Sequence, residues 1–227
     1  MTAPTPTRRP VGQVVGEVAG AYIAELQAGY LADRSTAVAT LARLRRGAGK
    51  LPQEAPDLWG IAGIERLYGE QGLSERDSEQ VKDRAESALF LAVTLYALHQ
   101  QSRTTDRMHR PRADLGAAVR RLMPKGGIDE PIRRRFVRTG TATSLDALAY
   151  RLREIVSLLR GAYIPLDYGL LARQLYQAQW PDGLRQVRHS WGRGFHAYLP
   201  PASPDGSSDS TPDSSSASDD DPTDKDM

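Results

Sequence analysis

No cysteine occurs in the 227-residue chain. That removes disulfides, thiolate nucleophiles and cysteine-ligated zinc together, and it fits a reducing cytoplasm. Lysine is scarce, with four residues against 26 arginines, and aromatic residues make up 7 % of the chain. No apolar run approaches the roughly 20 residues needed to span a bilayer. The longest candidate, 88–98, is interrupted by Thr94 and reads as a buried helix. The N-terminus carries Arg8, Arg9 and three prolines within ten residues in place of the apolar stretch of a signal peptide, so the expectation is a cytoplasmic protein with no membrane contact.

Strand signals are also missing, since no stretch alternates β-branched and polar residues. Helix signals recur instead. The pattern predicts helices over 11–32, from Ser35 to Gly47, from Pro56 through Leu67, from Ser78 to Gln101, over 114–123, from Asp129 through Arg138, from Ser144 to Gly161, over 165–179, and from Pro181 to Leu199. About nine helices imply an all-α protein. Two packed bundles are expected, 11–105 and 106–199, with the boundary between Ser102 and Asp114. The segment from Ala88 is apolar nearly all round and is the expected central helix of the first bundle. Trp59, Tyr96, Trp191 and Phe195 recur at helical spacing with Leu and Ile, so they are assigned to the core rather than to base stacking. Residues 1–10 and 200–227 are too polar or proline-rich to offset the entropy of ordering them and are expected to be disordered.

The search for chemistry returns little. His99, His109, His189 and His196 show no metal-site spacing, so no metal is assigned. There is no phosphate-cradling glycine loop and no nucleophile elbow, and carboxylate pairs such as Asp129 with Glu130 and Asp77 with Glu79 lie at helix starts, where capping accounts for them. Neither catalytic residues nor a cofactor are therefore assigned.

Charge is the informative feature. Between Arg103 and Arg138 eleven Arg or Lys residues face four carboxylates. The 28 residues from Pro200 hold eight Asp and one Lys, a net −7; subtracting that from the whole-chain +2 leaves +9 on residues 1–199. A body this basic attracts polyanions, and arginine grips phosphate with two donors at once. Arg120, Arg121, Arg133 and Arg138 are nucleic-acid-binding candidates on this ground, and Arg153 lies on the flank of the helix begun by Ser144.

Several segments, taken in order, resemble one family. They are Leu41-Ala-Arg-Leu-Arg-Arg-Gly47, Ala88-Leu-Phe-Leu-Ala-Val-Thr-Leu-Tyr-Ala-Leu-His-Gln-Gln101, Met108-His109 with Leu115-Gly-Ala-Ala-Val-Arg-Arg-Leu122, Arg134-Arg-Phe136, Leu148-Ala-Tyr-Arg-Leu-Arg153, Ile164-Pro-Leu-Asp-Tyr-Gly-Leu-Leu-Ala172 and Val187-Arg-His-Ser-Trp-Gly-Arg-Gly-Phe195. Together these resemble the CasB small subunit of the type I-E Cascade complex of CRISPR immunity over about residues 11–199. The resemblance implies a two-bundle helical protein without enzymatic activity, because cleavage belongs to a separately recruited helicase-nuclease. It implies a homodimer within Cascade that packs along the backbone and large subunits and helps hold guide RNA, target DNA and the displaced single strand. By position it marks Arg45, Arg46, Arg134, Arg135 and Arg153. The acidic tail is not part of the family's common pattern. Two other readings compete with this one: a free-standing helical DNA-binding regulator, and a helical scaffold that binds only protein.

Overall fold

The computed structural model describes residues 9–68 and 72–198, so the expectations for the acidic tail, for Leu199 and for residues 1–8 lie outside it. Eight α-helices follow one another: α1 (Val11–Leu31), α2 (Ser35–Leu44), α3 (Glu79–Gln100), α4 (Leu115–Arg121), α5 (Glu130–Gly140), α6 (Leu145–Gly161), α7 (Tyr168–Ala178) and α8 (Gly183–Ala197). Short 3₁₀ turns at Arg45–Gly47, Pro52–Glu54, Pro56–Ile61 and Ile64–Tyr68 fill the path from α2 to α3. The described residues form no strand; a single bridge joins His109 to Leu166. The protein is all-α.

Helix starts obey local chemistry. Ser78, Asp114, Asp129, Ser144 and Asp167 each accept a hydrogen bond from a backbone amide two or three residues ahead, satisfying donors that the first turn leaves unpaired. The starts of α2 and α8 carry no such side-chain bond. Ser35 lies inside α2, whose cap is Arg34 with no side-chain bond. Asp182 takes a left-handed conformation, φ 59°, and its side chain accepts from no backbone amide.

The helix expected from Pro56 through Leu67 is not continuous. Gly63, at φ +78°, divides it into two 3₁₀ turns, and a Cβ there would stand 2.7 Å from the Tyr22 ring. The Tyr22 hydroxyl donates to the Ile61 carbonyl at 2.7 Å, holding this turn against α1. Trp59 is consequently 45 % exposed rather than in the core, with its indole N–H donating to the Pro52 carbonyl at 2.9 Å.

At the centre lies α3, in which every residue from Ala88 to Ala97 is buried. α1, α2, α6 and α7 pack around it. Tyr96, Trp191 and Phe195 are buried as expected. A single apolar cluster runs from Val15 to Phe195 and draws on both sides of the expected boundary, because α1 returns to pack along α7. Their axes come close at Gly16 and Gly169, where a Cβ on either would meet the other's carbonyl oxygen within 3 Å. α4 and α8 are closer still. A Cβ on Gly116 would fall 1.8 Å from the Trp191 carbonyl, and one on Gly194 would fall 1.9 Å from the Asp114 carboxylate.

The connection between α3 and α4 is tied down by buried polar groups. Gln27 accepts from the His109 amide at 2.8 Å and donates to its carbonyl at 3.2 Å. Gln100 donates to the carbonyls of Arg103 and Asp106 and accepts from the Met108 amide. His99, in contact with the Tyr168 hydroxyl at 2.8 Å, is fully enclosed, and burial pushes its pKa down to about 3. It is therefore a neutral core residue at physiological pH. His109 is lowered by burial as well.

The glycine contacts give a paired test. Gly116→Ala forces α4 away from α8 and should cost about 3 kcal/mol of unfolding free energy, at the upper end for overpacking. Gly192→Ala on α8 meets nothing within 4 Å and should stabilise by about 0.5–1 kcal/mol through helix propensity. Urea denaturation of the two variants measures both, and equal effects would contradict the packing described.

Candidate nucleic-acid interface

The arginines of α5 are sorted by helix geometry. Thr139 and Gly140 are buried, and Ile132 and Phe136 are partly so, Phe136 stacking on Phe195 with ring centroids 5.5 Å apart. At about 100° per residue the face opposite these carries Arg134 and Arg138, with Arg133 and Arg135 on the flanks. All four are exposed. Val137, 48 % exposed, lies among them.

Their charges are not equally available. Arg133 makes a two-pronged bond to Glu130, Nε and Nη2 each 2.7 Å from a carboxylate oxygen. That bond holds the Glu130 carboxyl below its usual range and raises the Arg133 pKa. Among the described residues Arg134, Arg135 and Arg138 have no carboxylate partner.

A second group forms where the turn after α2 meets α6. The exposed Arg153 lays its aliphatic stem against Gly49, whose φ of +80° lets the chain pass close; a Cβ there would be 2.9 Å from the Arg153 Cδ. The residues just before that turn are Arg45, half-buried, and Arg46, exposed. Arg46 pairs with Asp57 at 2.9 Å, both side chains well exposed, an arrangement of small energetic value that an incoming phosphate can displace. Since α5 packs on α6, this group and the α5 arginines share a supporting helix.

The α4 arginines divide. Arg121 is exposed and without an ion pair among the described residues. Arg120 is half-buried and donates from Nη1 to the Gly127 carbonyl at 3.1 Å, bracing the segment that leads into α5. Eight residues separate α4 from α5, too many for the tight turn of a helix-turn-helix reader.

Two features escaped the sequence reading. Tyr150, 59 % exposed, lies one turn before Arg153 on α6, presenting a stacking surface beside a guanidinium. α8 carries Arg185, Arg188 and Arg193 with His189 and His196 on its exposed side. Their three- and four-residue spacing was the available signal, and it was masked by the core residues Val187, Trp191 and Phe195 that interleave with it. No group of metal-binding side chains and no membrane-length apolar helix occurs among the described residues.

These features define an all-helical protein whose tightly packed interior supports arginines on outward helix faces. Its sequence matches the model of the CRISPR-associated protein Cse2 family over residues 40–196, and the chain belongs to that family. Among solved structures it is similar to CasB from Thermobifida fusca, 53 % identical over 81 % of this chain and 98 % of that one, with a TM-score of 0.73. CasB from Thermus thermophilus shares the fold at 23 % identity and a TM-score of 0.58, covering 80 % of this chain and 97 % of that one. A chain of a CRISPR RNA-guided surveillance complex does so at 21 % identity and 0.59, covering 81 % and 94 %. No curated protein sequence matches the chain. The family resemblance read from the ordered motifs is thereby shown.

The geometry separates bracing from exposed arginines. Arg120→Ala removes a charge-assisted bond to a carbonyl and should lower unfolding free energy by about 1–2 kcal/mol. Arg134→Ala with Arg135→Ala should change it by no more than about 0.5 kcal/mol. Chemical denaturation distinguishes the two, and a larger loss in the double variant would contradict the placement of α5.

Proposed function

We propose that this chain is the non-catalytic small subunit of a type I-E Cascade surveillance complex. In that setting it contacts guide RNA and target DNA and stabilises the displaced strand of the R-loop through exposed arginines. Membership of the Cse2 family supports the setting. The observation that carries the interface is α5, where Arg134, Arg135 and Arg138 face outward and, among the described residues, form no ion pair. Arg45, Arg46, Arg121, Arg133 and Arg153 extend the assignment along the same body, with Arg120 contributing through the α4–α5 segment it braces. Backbone and large subunits of Cascade and a second copy of the chain are the proposed protein partners.

The physics suits the task. Replacing a DNA duplex by an RNA–DNA hybrid is nearly balanced in energy, so contacts that hold the displaced strand shift the equilibrium. Guanidinium groups on phosphates supply such contacts without reading bases, which leaves sequence selection to the guide. A surface of fixed helices also keeps the arginines spaced before the strand arrives, so little ordering cost falls on binding.

The test is made in the assembled complex. Arg134→Ala with Arg135→Ala should leave helicity and assembly intact while weakening target binding. The slope of log K against log salt should become shallower by about 1.4 on single strands, from two lost phosphate contacts. Unchanged binding with complete assembly would remove α5 from the interface. A shallow salt slope in the parent protein, together with tight selection of one short duplex, would instead favour a sequence-reading regulator.

A further inference from the structure

The exposed side of α8 is an open groove of about 550 Å³ lined by Arg185, Arg188, His189, Gly192, Arg193 and His196. Among the described residues no carboxylate lines it. The nearest ion pair is Arg185 with Asp182 at 3.4 Å, at the first turn of the helix. Among the described residues Arg188 and Arg193 have no carboxylate partner. The groove is also held in shape. The Arg188 stem rests on Gly140 at the end of α5, within 3.1 Å of where a Cβ would be, while Gly192 has open space above it. On the opposite side, Val187, Trp191 and Phe195 anchor α8 in the core.

The chain leaves this groove at its His196 end, since α8 finishes at Ala197. Immediately beyond lies the most acidic part of the sequence, eight Asp and one Lys in residues 200–227. Asp205 stands seven residues beyond Tyr198, a reach of up to about 25 Å at 3.3–3.6 Å per residue. From Arg185 to His196 the helix rises only about 17 Å, at 1.5 Å per residue. Asp205 can therefore meet any cation of the groove, and Asp209 and Asp213 follow at four-residue intervals. Tethering at the groove's end gives these carboxylates an effective concentration on the order of millimolar, an advantage no free polyanion has.

We propose that residues 200–227 dock on the basic groove of α8 through their aspartates, so that this face is reserved by the chain's own tail. The arginines of α5 and α6 stay outside the contact. The inference concerns a peptide and does not require the nucleic-acid reading to hold.

A labelled peptide of residues 200–227, titrated by fluorescence anisotropy at about 50 mM salt, tests it directly. The receptor is a chain ending at residue 199, which keeps the whole core cluster. The peptide should bind saturably, and the full-length chain, with its groove already occupied, should bind it about tenfold more weakly. Combined Arg185→Ala, Arg188→Ala and Arg193→Ala should reduce binding at least tenfold, whereas Arg134→Ala with Arg135→Ala should leave it within twofold. A peptide carrying Asp205→Asn, Asp209→Asn and Asp213→Asn should bind at least fivefold more weakly, and this arm decides the matter if the triple variant fails to fold. No binding of the parent peptide, or equal binding by the folded triple variant, would overturn the proposal. So would a triple variant that loses single-stranded DNA but keeps the peptide, which would assign the groove to nucleic acid.

Discussion

A helix buried around its whole circumference must be enclosed on every side, and α3 imposes that demand here. From Ala88 to Ala97 it offers water no face, so α1, α2, α6 and α7 have to surround it. Enclosure on this scale is dominated by apolar burial, at about 25 cal/mol per Å². Charged side chains are excluded from those contacts unless paired. In a chain with 26 arginines the consequence is topological: guanidinium groups collect on the outward faces of the surrounding helices. α5 is the clearest case, with Phe136 and Ile132 turned inward and Arg134 and Arg138 turned out.

The same constraint accounts for the glycines at helix crossings. Layers gathered around one central helix approach each other closely, and backbone contacts at Gly16–Gly169 and at Gly116 against Trp191 are what that approach looks like. It also accounts for the polar clamp on the α3–α4 connection. The segment crosses the end of a buried helix, so its backbone groups lose water and need partners, which Gln27, Gln100 and Asp167 provide. The basic loop is thus held by its backbone while the side chains of Arg107, Arg110 and Arg112 remain exposed.

Much of this was legible in the residues because it depends on neighbours in sequence. The caps at Ser78, Asp114, Asp129, Ser144 and Asp167, the apolar run of α3 and the arginine density of α5 are local signals. The Glu130–Arg133 pair is three residues apart and local too. What could not be read depends on distant partners. The left-handed Gly63 and the Tyr22–Ile61 bond decide that 56–68 is not one helix and that Trp59 faces solvent. Whether an arginine braces, as Arg120 does on Gly127, or stands clear, as Arg134 does, rests on where a loop happens to return. The ordered motifs carried the family, which no single helix could have done.

Under the proposed function, outward arginines on a rigid helical body meet nucleic acid through phosphates while the core stays apart from it. Photo-crosslinking of a reconstituted guide-loaded complex on target DNA, with the attached nucleotides located by mass spectrometry, addresses it most directly. Crosslinks are expected in peptides holding Arg45 and Arg46, Arg134 to Arg138, and Tyr150 with Arg153. Crosslinks confined to the α1–α7 side, with none on α5 or α6, would contradict the account.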